Sequence, residues 1–273
     1  MKRTLVTLTL CALPVLAQDS IDRLKVAFRD PSRPGTVKMN LLRGNITVKG
    51  YNGQEVLIEA GPRKNGDQDD DDDRKRETSG LRRIIAPNSN LTVEEENNVM
   101  KIDVQSHRRS MDVVLQVPVK TSLNLHSVNN GNVTVENVTG DIEVNNLNGQ
   151  ITLTGVGGSV VAHALNGKIT ATLREVDASK PMSFSSLNGN IDVTLPQSIK
   201  ANLNLQTVRG EVYSDFDVVL GATPPKVEET SREEGKGRYR VSTGRGVVGK
   251  VNGGGQDLTF KNMNGNIYIR KGK

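Results

Sequence analysis

A glycine returns every nine residues through the middle of the chain, at positions 131, 140, 149, 158 and 167. The blocks that begin there read GNVTVENVT, GDIEVNNLN, GQITLTGVG, GSVVAHALN and GKITATLRE. Each glycine is followed by a polar residue, Ile or Val, one further residue, and then Val, Leu or Ala. That alternation is the period of a strand, and Asn-Gly supplies residues that tolerate positive φ, so the chain can turn there. A unit of nine residues cannot bury its own apolar face, so units must stack and share one aliphatic ribbon.

The phrase recurs as GNITV from Gly44, GNIDV from Gly189, GEVYS from Gly210 and GNIYI from Gly265. Four copies carry a longer form, Leu/Met-Asn-Gly-x-Ile, beginning at Leu147, Leu165, Leu187 and Met263. In the block at Gly149, Ile151 and Leu153 face one way and Gln150 and Thr152 the other. The same count assigns Leu147 to the inward phase, together with Val138, Val156, Leu165, Leu187, Val208 and Met263. Two nine-residue units make one rung, and the later steps to Gly189 and Gly210 read as full rungs of 22 and 21 residues. The expected fold is therefore all-β, a right-handed parallel β-solenoid with about 18–22 residues per rung. The alternative is a β-sandwich of hairpins joined by Asn-Gly turns, which has no reason to keep a constant step.

A longer repeat supports the stacked reading. Residues 115–135 and 193–214 share an apolar-Pro pair, a short polar step, Leu-Asn-Leu, a Ser or Thr, and then the glycine strand. Pro118 and Pro196 end a strand at a corner, where a missing N–H is tolerated. With no Trp, four Tyr and four Phe, the core must be built from Val, Ile and Leu.

The first 17 residues, MKRTLVTLTLCALPVLA, have the form of a secretory signal peptide: a basic start at Lys2 and Arg3, an apolar stretch too short to span a bilayer, and a small residue at Ala17. The expected organisation is a signal peptide at 1–17, a lead-in at 18–35, and one β-domain over 36–273 with polar insertions at 61–80 and 222–240. The insertion at 61–80 has almost no apolar residue and reads as a mobile loop. Within 36–60, strand patterns occupy Thr36–Leu42, Asn45–Lys49 and Glu55–Ala60, and 91–104 reads as a hairpin turning at Asn97-Asn98. Cys11 is the only cysteine and falls in the leader, so the exported chain would hold no disulfide and no thiolate metal site. Cleavage also removes two cations and leaves 34 basic against 31 acidic side chains, a mild attraction for anionic polymers.

The phrase LRGNITVKGYNG near residue 42, the two Pro…Leu-Asn-Leu segments and the Leu-Asn-Gly-x-Ile blocks resemble the bacterial putative-adhesin β-strand-repeat family, a domain of unknown function. The resemblance covers roughly residues 36–60 and 113–270. It implies an exported β-solenoid of the bacterial envelope, with some relatives linked to envelope-stress responses. It carries over no catalytic residue. The acidic insertion at 67–73 departs from the family's usual short connection.

No chemistry is displayed in the manner of an enzyme. Asp67 and Asp69–Asp73 have no internal glycine and are followed by Arg74-Lys75-Arg76, unlike a shaped calcium loop. Asp141 and Glu143 lie two apart on one strand, a pair that a carbohydrate-active β-helix would need in a groove. His107, His126 and His163 lack metal-ligand spacing, and no Gly-x-Ser-x-Gly or His-Glu-x-x-His phrase occurs. Tyr213 and Tyr268 are the outward strand tyrosines available to stack on a sugar. Basic clusters sit at Arg74–Arg76, Arg82-Arg83, Arg108-Arg109 and Arg270-Lys271 with Lys273. Without a nucleic-acid fold or stacking platforms they suit anionic envelope polymers, and the last one suits the blunting of a sheet edge. The Asn-x-Thr sequons at Asn45, Asn90, Asn132 and Asn137 matter only in a glycosylating host.

The expectation is an exported, non-enzymatic module in the periplasm, at the cell surface or outside the cell. Its partner would be an anionic envelope polymer or a surface protein, with no nucleic acid, no cofactor, no bound metal and no catalytic residue. End-to-end self-association is open to it through unpaired strand edges. A carbohydrate-active β-helix enzyme and an envelope-stress sensor or scaffold are the alternatives.

Overall fold

The computed structural model describes residues 22–63, 91–104, 110–221, 226–228, 240–242 and 246–272. The segment read as a leader and most of both polar insertions lie outside the described residues. Every regular element described is a strand. The first are β1 (Asp22–Ala27), β2 (Thr36–Arg43), β3 (Ile46–Tyr51), β4 (Glu55–Pro62), β5 (Leu91–Glu96), β6 (Val99–Val104) and β7 (Met111–Pro118). The middle of the chain supplies β8 (Ser122–Asn129), β9 (Val133–Glu136), β10 (Ile142–Asn148), β11 (Ile151–Val156), β12 (Val160–Asn166), β13 (Ile169–Leu173), β14 (Met182–Asn188) and β15 (Ile191–Leu195). Then come β16 (Ala201–Arg209), β17 (Val212–Ser214), β18 (Val218–Gly221), β19 (Lys226–Glu228), β20 (Arg240–Ser242), β21 (Gly246–Val251), β22 (Gln256–Asn264) and β23 (Ile267–Lys271).

Two large mixed sheets hold all but two of these strands. Sheet I has ten, in the order β1-β4-β7-β3-β9-β11-β13-β15-β23-β17, and sheet II has eleven, β18-β21-β16-β22-β14-β12-β10-β8-β2-β6-β5. Neither closes into a barrel, and β19 and β20 pair only with each other. From β8 to β15 successive strands alternate between the sheets, and each pairs in parallel with the strand two places along. Val133, Ile151 and Ile169 thereby stand side by side. Asn148 lies 18 residues from Asn166, and Asn166 lies 22 from Asn188. The nine-residue step thus marks two corners of an 18-residue unit, with Gly131, Gly149 and Gly167 at one corner and Gly140 and Gly158 at the other.

Strand alternation builds the core. In β11, Ile151 and Leu153 are buried while Thr152 and Thr154 face out. The equivalent inward positions elsewhere are Ile46, Val48, Val133, Val135, Ile169, Ala171, Ile191 and Val193, all within 1% of full burial. Within the strands the apolar interior is aliphatic or methionine, as the scarcity of aromatics requires, apart from Phe184 and Phe260, stacked at 5.3 Å between centroids.

The corner glycines are required for stacking more than for turning. A Cβ on Gly149 would strike the carbonyl oxygen of Gly131, one on Gly167 that of Gly149, and one on Gly189 that of Gly167. The column continues through Gly44, Gly265 and Gly210. Beside it, inward polar side chains satisfy the same carbonyls: Asn146 Nδ2 donates to Gly131 O at 2.9 Å, Ser186 Oγ to Gly167 O at 3.0 Å and Asn262 Nδ2 to Gly189 O at 2.8 Å. In register this inward slot holds Leu41, Ser127, Asn146, Ala164, Ser186, Asn262 and Thr207, so a side-chain donor is supplied at some units while Leu41 and Ala164 bring none.

That slot explains a correction. Leu147 does not face inward, because Asn146 does; Leu147 is 37% exposed, Met263 46% and Val208 49%, and Leu165 and Leu187 are half-buried. Val138 and Val156 are buried as expected.

The stacking order also differs from chain order. The pair β22/β23 inserts between β14/β15 and β16/β17. Gly210 therefore stacks on Gly265 rather than on Gly189, and the 21-residue step to it is not a stacking step. The other end mirrors this: β2/β3 lies between β8/β9 and β6/β7. Antiparallel strands then cover the outermost pairs: β4 lies against β7 and β1 against β4, β5 against β6, β21 against β16, and β18 against β21. Phe28 and Phe216, both nearly buried, belong to the core outside the strands, next to the terminal pairs. The β5–β6 hairpin turns at Asn97 and Asn98, both with positive φ, and the carbonyls of Pro118 and Pro196 each accept a turn hydrogen bond three residues on.

Candidate functional site

The outer face of sheet I is a set of side-chain columns fixed by register. One column runs Thr47, Thr134, Thr152, Thr170, Asp192, Tyr268 and Tyr213. The neighbouring column runs Lys49, Glu136, Thr154, Thr172, Thr194 and Arg270. Seven strands at the usual inter-strand spacing make the first column about 29 Å long. Threonine suits a half-exposed pleated surface, and its hydroxyl or methyl recurs here at regular intervals, the Thr170 hydroxyl being turned away from solvent.

The column ends on an aromatic pair. Tyr213 and Tyr268 stack with centroids 5.2 Å apart and planes within 8°. Tyr213 is 47% exposed, and its strand β17 is the last in sheet I. The Arg270 guanidinium lies 5.4 Å from the Tyr268 centroid and binds both oxygens of Asp192, at 2.7 and 3.1 Å. The Tyr213 hydroxyl donates to Glu211, and Asn266 Nδ2 donates to the Tyr268 hydroxyl at 3.0 Å. The hydrogen bond and charge of Glu211 hold the Tyr213 phenol above its usual range, and the bonds to Asp192 raise Arg270. Rings, guanidinium and carboxylates are thus held in one arrangement, able to stack on a flat apolar face and to hydrogen-bond hydroxyls around it.

The other singled-out residues scatter. Asp141 is engaged by Lys180 Nζ at 2.8 and 3.1 Å, and that bond raises the lysine. Glu143 accepts from Asn124 at 2.9 Å and Asn145 at 3.3 Å. The two carboxylates therefore serve separate partners. His126 and His163 lie on the outer face of sheet II, in register with Asn145 between them, and His163 Nδ1 contacts Ser185 Oγ at 2.6 Å. Among the described residues, no three His, Asp or Glu side chains are grouped to hold a metal ion. Asp67, Asp69–Asp73, Arg74–Arg76, Arg82-Arg83, His107, Arg108-Arg109 and Lys273 lie outside the described residues.

The C-terminal basic cluster is corrected. Arg270 and Lys271 do not blunt an edge, since β23 is interior, between β15 and β17. Arg270 serves Asp192, and Lys271 lies 5.4 Å from the Phe216 ring centroid. The sequence shows outward faces rich in Asn, Thr and mixed charge, and Thr-x-Thr at 152–154 and 170–172, one unit apart, is the signal that aligns the threonines into columns.

No family model matches this sequence, and no curated protein matches it. Several solved structures are similar at low identity. A putative cell adhesion protein from Clostridium sporogenes aligns with TM-score 0.41 and 12% identity over 93% of this chain and 100% of its own. A putative adhesin from Bacteroides fragilis gives 0.37 and 12% over 93% and 98%. A putative lipid binding protein from Parabacteroides distasonis gives 0.35 and 10% over 94% and 98%. Among the described residues no helix is long and apolar enough to cross a membrane.

Proposed function

We propose that this chain is an exported, non-enzymatic β-solenoid whose sheet I face binds an extended, hydroxyl-rich polymer of the cell envelope. The solenoid reading is supported by the alternation of strands between two sheets and the 18-residue parallel register. Export is supported by the form of residues 1–17. The observation that carries the binding reading is the stacked, exposed Tyr213–Tyr268 pair at the end of a straight threonine column. A linear polymer lying along that column would stack one ring on Tyr213 and exchange hydrogen bonds with successive threonines. Such contacts are individually weak and add along the length of the face.

The test is co-sedimentation of the purified protein with isolated envelope polysaccharide across a salt series. Pelleting that persists at 0.15 M salt and falls at least fivefold in both Tyr213→Ala and the double variant Thr152→Glu/Thr170→Glu supports the reading. No pelleting, or pelleting unchanged by both variants, overturns it. End-to-end association, the other partner reading, is favoured by β18, an uncharged edge strand whose Val219 and Leu220 are 72% and 69% exposed.

A further inference from the structure

The outward leucine of the Leu-Asn-Gly-x-Ile phrase has no role in turn or core. Asparagine and glycine build the corner and isoleucine fills the interior, yet an aliphatic residue precedes them in nearly every unit. Register lines these residues up across sheet II as Leu42, Val128, Leu147, Leu165, Leu187, Met263 and Val208. Seven strands again give a column about 29 Å long. It contains no polar or aromatic side chain and runs along the margin of the sheet, where the chain turns into sheet I. No described strand packs over it. Leu147, Met263 and Val208 are the most exposed of the seven, and the others are half-buried.

The surroundings of this ridge identify its counterpart. Within two residues of the seven positions the sequence holds Arg43, Lys261 and Arg209, two histidines, and no carboxylate. All three cations are exposed. Arg43 and Arg209 stand at the two ends of the adjoining asparagine ladder, in which Asn166 donates to Asn148, Asn188 to Asn166, and Asn264 to Asn188 at 2.7–2.9 Å. The ladder holds the corner straight, so the aliphatic side chains project as one line. A straight ridge on a margin encloses no small ligand and offers no groove to a peptide. It matches a flat, deformable apolar layer with a negatively charged surface, because aliphatic side chains can enter the acyl boundary while flanking cations meet the headgroups.

The geometry points to a second binding surface: the Leu42–Val208 ridge docks on an anionic lipid bilayer. This surface lies on the sheet opposite the threonine face and does not rest on the polymer reading. It orients the molecule with sheet II's margin against the membrane and leaves the tyrosine pair on another side.

The experiment uses purified protein and large unilamellar vesicles, either phosphatidylglycerol–phosphatidylcholine or phosphatidylcholine alone, in flotation at 0.15 M salt. Residues 18–273 hold no cysteine, so Leu165→Cys accepts a single environment-sensitive fluorophore, and Thr152→Cys on sheet I is its control. The expected result is flotation with the anionic vesicles at least tenfold above the neutral ones, with a blue shift at position 165 and none at 152. Flotation should fall at least tenfold in Leu147→Glu/Leu165→Glu. It should fall partially in Arg43→Gln/Lys261→Gln/Arg209→Gln. No flotation, a shift at 152 instead of 165, or flotation abolished by the cation variant with no shift at 165 overturns the proposal. So does a lipid-free dimer that Leu147→Glu/Leu165→Glu dissolves, which would assign the ridge to a second copy of the chain. The fluorophore readout stands if the glutamate variant fails to fold.

Discussion

Gly167→Ala should destabilise the protein by about 3 kcal/mol, and the figure follows from the corner geometry. The φ of Gly167 lies outside the left-handed region, so alanine brings no backbone strain, but its Cβ would sit 1.9 Å from the carbonyl oxygen of Gly149. Both atoms belong to rigid corners, and relief requires the two units to part locally by more than 1 Å. Overpacking of this kind costs about 1–3 kcal/mol. Parting the corner also weakens the bonds from Gly149 N to Asn166 O and from Ile151 N to Lys168 O, both at 3.0 Å. Each contributes about 0.5–1.5 kcal/mol net. The lower entropy of an unfolded alanine returns about 0.4–1 kcal/mol. Two controls divide the effect. At Gly221 the nearest atom to a new Cβ is 3.7 Å away and φ is unstrained, so Gly221→Ala should be neutral or slightly stabilising. At Gly253 nothing lies within 4 Å but φ is +87°, so Gly253→Ala should lose only the left-handed strain, about 1–2 kcal/mol. Urea unfolding followed by far-ultraviolet circular dichroism measures all three, tryptophan being absent. Should Gly167→Ala unfold within about 0.5 kcal/mol of Gly221→Ala, the glycine column does not bear stacking contact and the reasoning fails.

Further outcomes are expected. Asn146→Val should cost about 1–3 kcal/mol by orphaning the Gly131 carbonyl, whereas Asn146→Ser, the residue that bonds the Gly167 carbonyl from position 186, should cost less than half as much; chemical denaturation compares them. The Asp177 carboxyl is held below its usual range chiefly by the Ser179 hydroxyl. Its contribution is therefore present above pH about 4 and lost as pH falls through the lower folded value, so the acid limb of a stability–pH curve should flatten in Asp177→Asn. The Tyr213 phenol is raised by Glu211, so that contribution is present below pH about 10 and lost as pH rises through the folded value. Absorbance titration near 295 nm should show a late-ionising component that moves earlier in Glu211→Ala. Val219→Lys/Leu220→Lys on β18 should abolish any concentration-dependent increase in sedimentation coefficient seen for the parent protein.

The alternation of Ile151 and Leu153 with Thr152 and Thr154, the Asn97-Asn98 hairpin and the 18-residue unit were all legible, because they depend on local period and turn chemistry. The phase of Leu147 was not. Hydrophobicity alone assigns an aliphatic residue to the core, but Leu147 continues the alternation of β10, in which Ile142, Val144 and Asn146 face inward, and the corner resets the phase before Ile151. The stacking order was hidden for a different reason. The phrases at Gly189, Gly210 and Gly265 are interchangeable in local chemistry, and nothing within a phrase says which one it will lie upon. The same blindness placed Arg270 on an edge, when its partner Asp192 stands 78 residues away on the adjacent strand. The tyrosine pair was half legible: both rings read as outward, while their contact depends on β17 and β23 being neighbours.

The out-of-order insertions change how the two ends respond to loss. Central neighbours bond across 18 to 22 residues, whereas Asn45 meets Asn132 across 87 and Asn190 meets Asn266 across 76. Loop closure grows only logarithmically, so about two doublings of length add about 1.2 kcal/mol. That is small beside the burial of Phe260 against Phe184 and of the aliphatic residues of β22 and β23. The centre can therefore form first from local pairings, with the inserted pairs following at little extra entropic cost. Yet β22/β23 is bracketed on both sides, by β14/β15 and by β16/β17. Removing an outermost pair from a simple stack uncovers one face, whereas removing this one uncovers two and leaves β16 and β17 with no parallel neighbour. A chain ending at Gly255 should accordingly lose the order of β16, β17, β18 and β21 as well as that of the deleted strands. Amide exchange comparing the truncated and full chains would show protection lost across β16, β17, β18 and β21 and retained in β10 to β13. Retention of native protection in β16 would mean that this strand is held by its antiparallel partner β21 alone, and that the insertion is not what fixes this end of the fold.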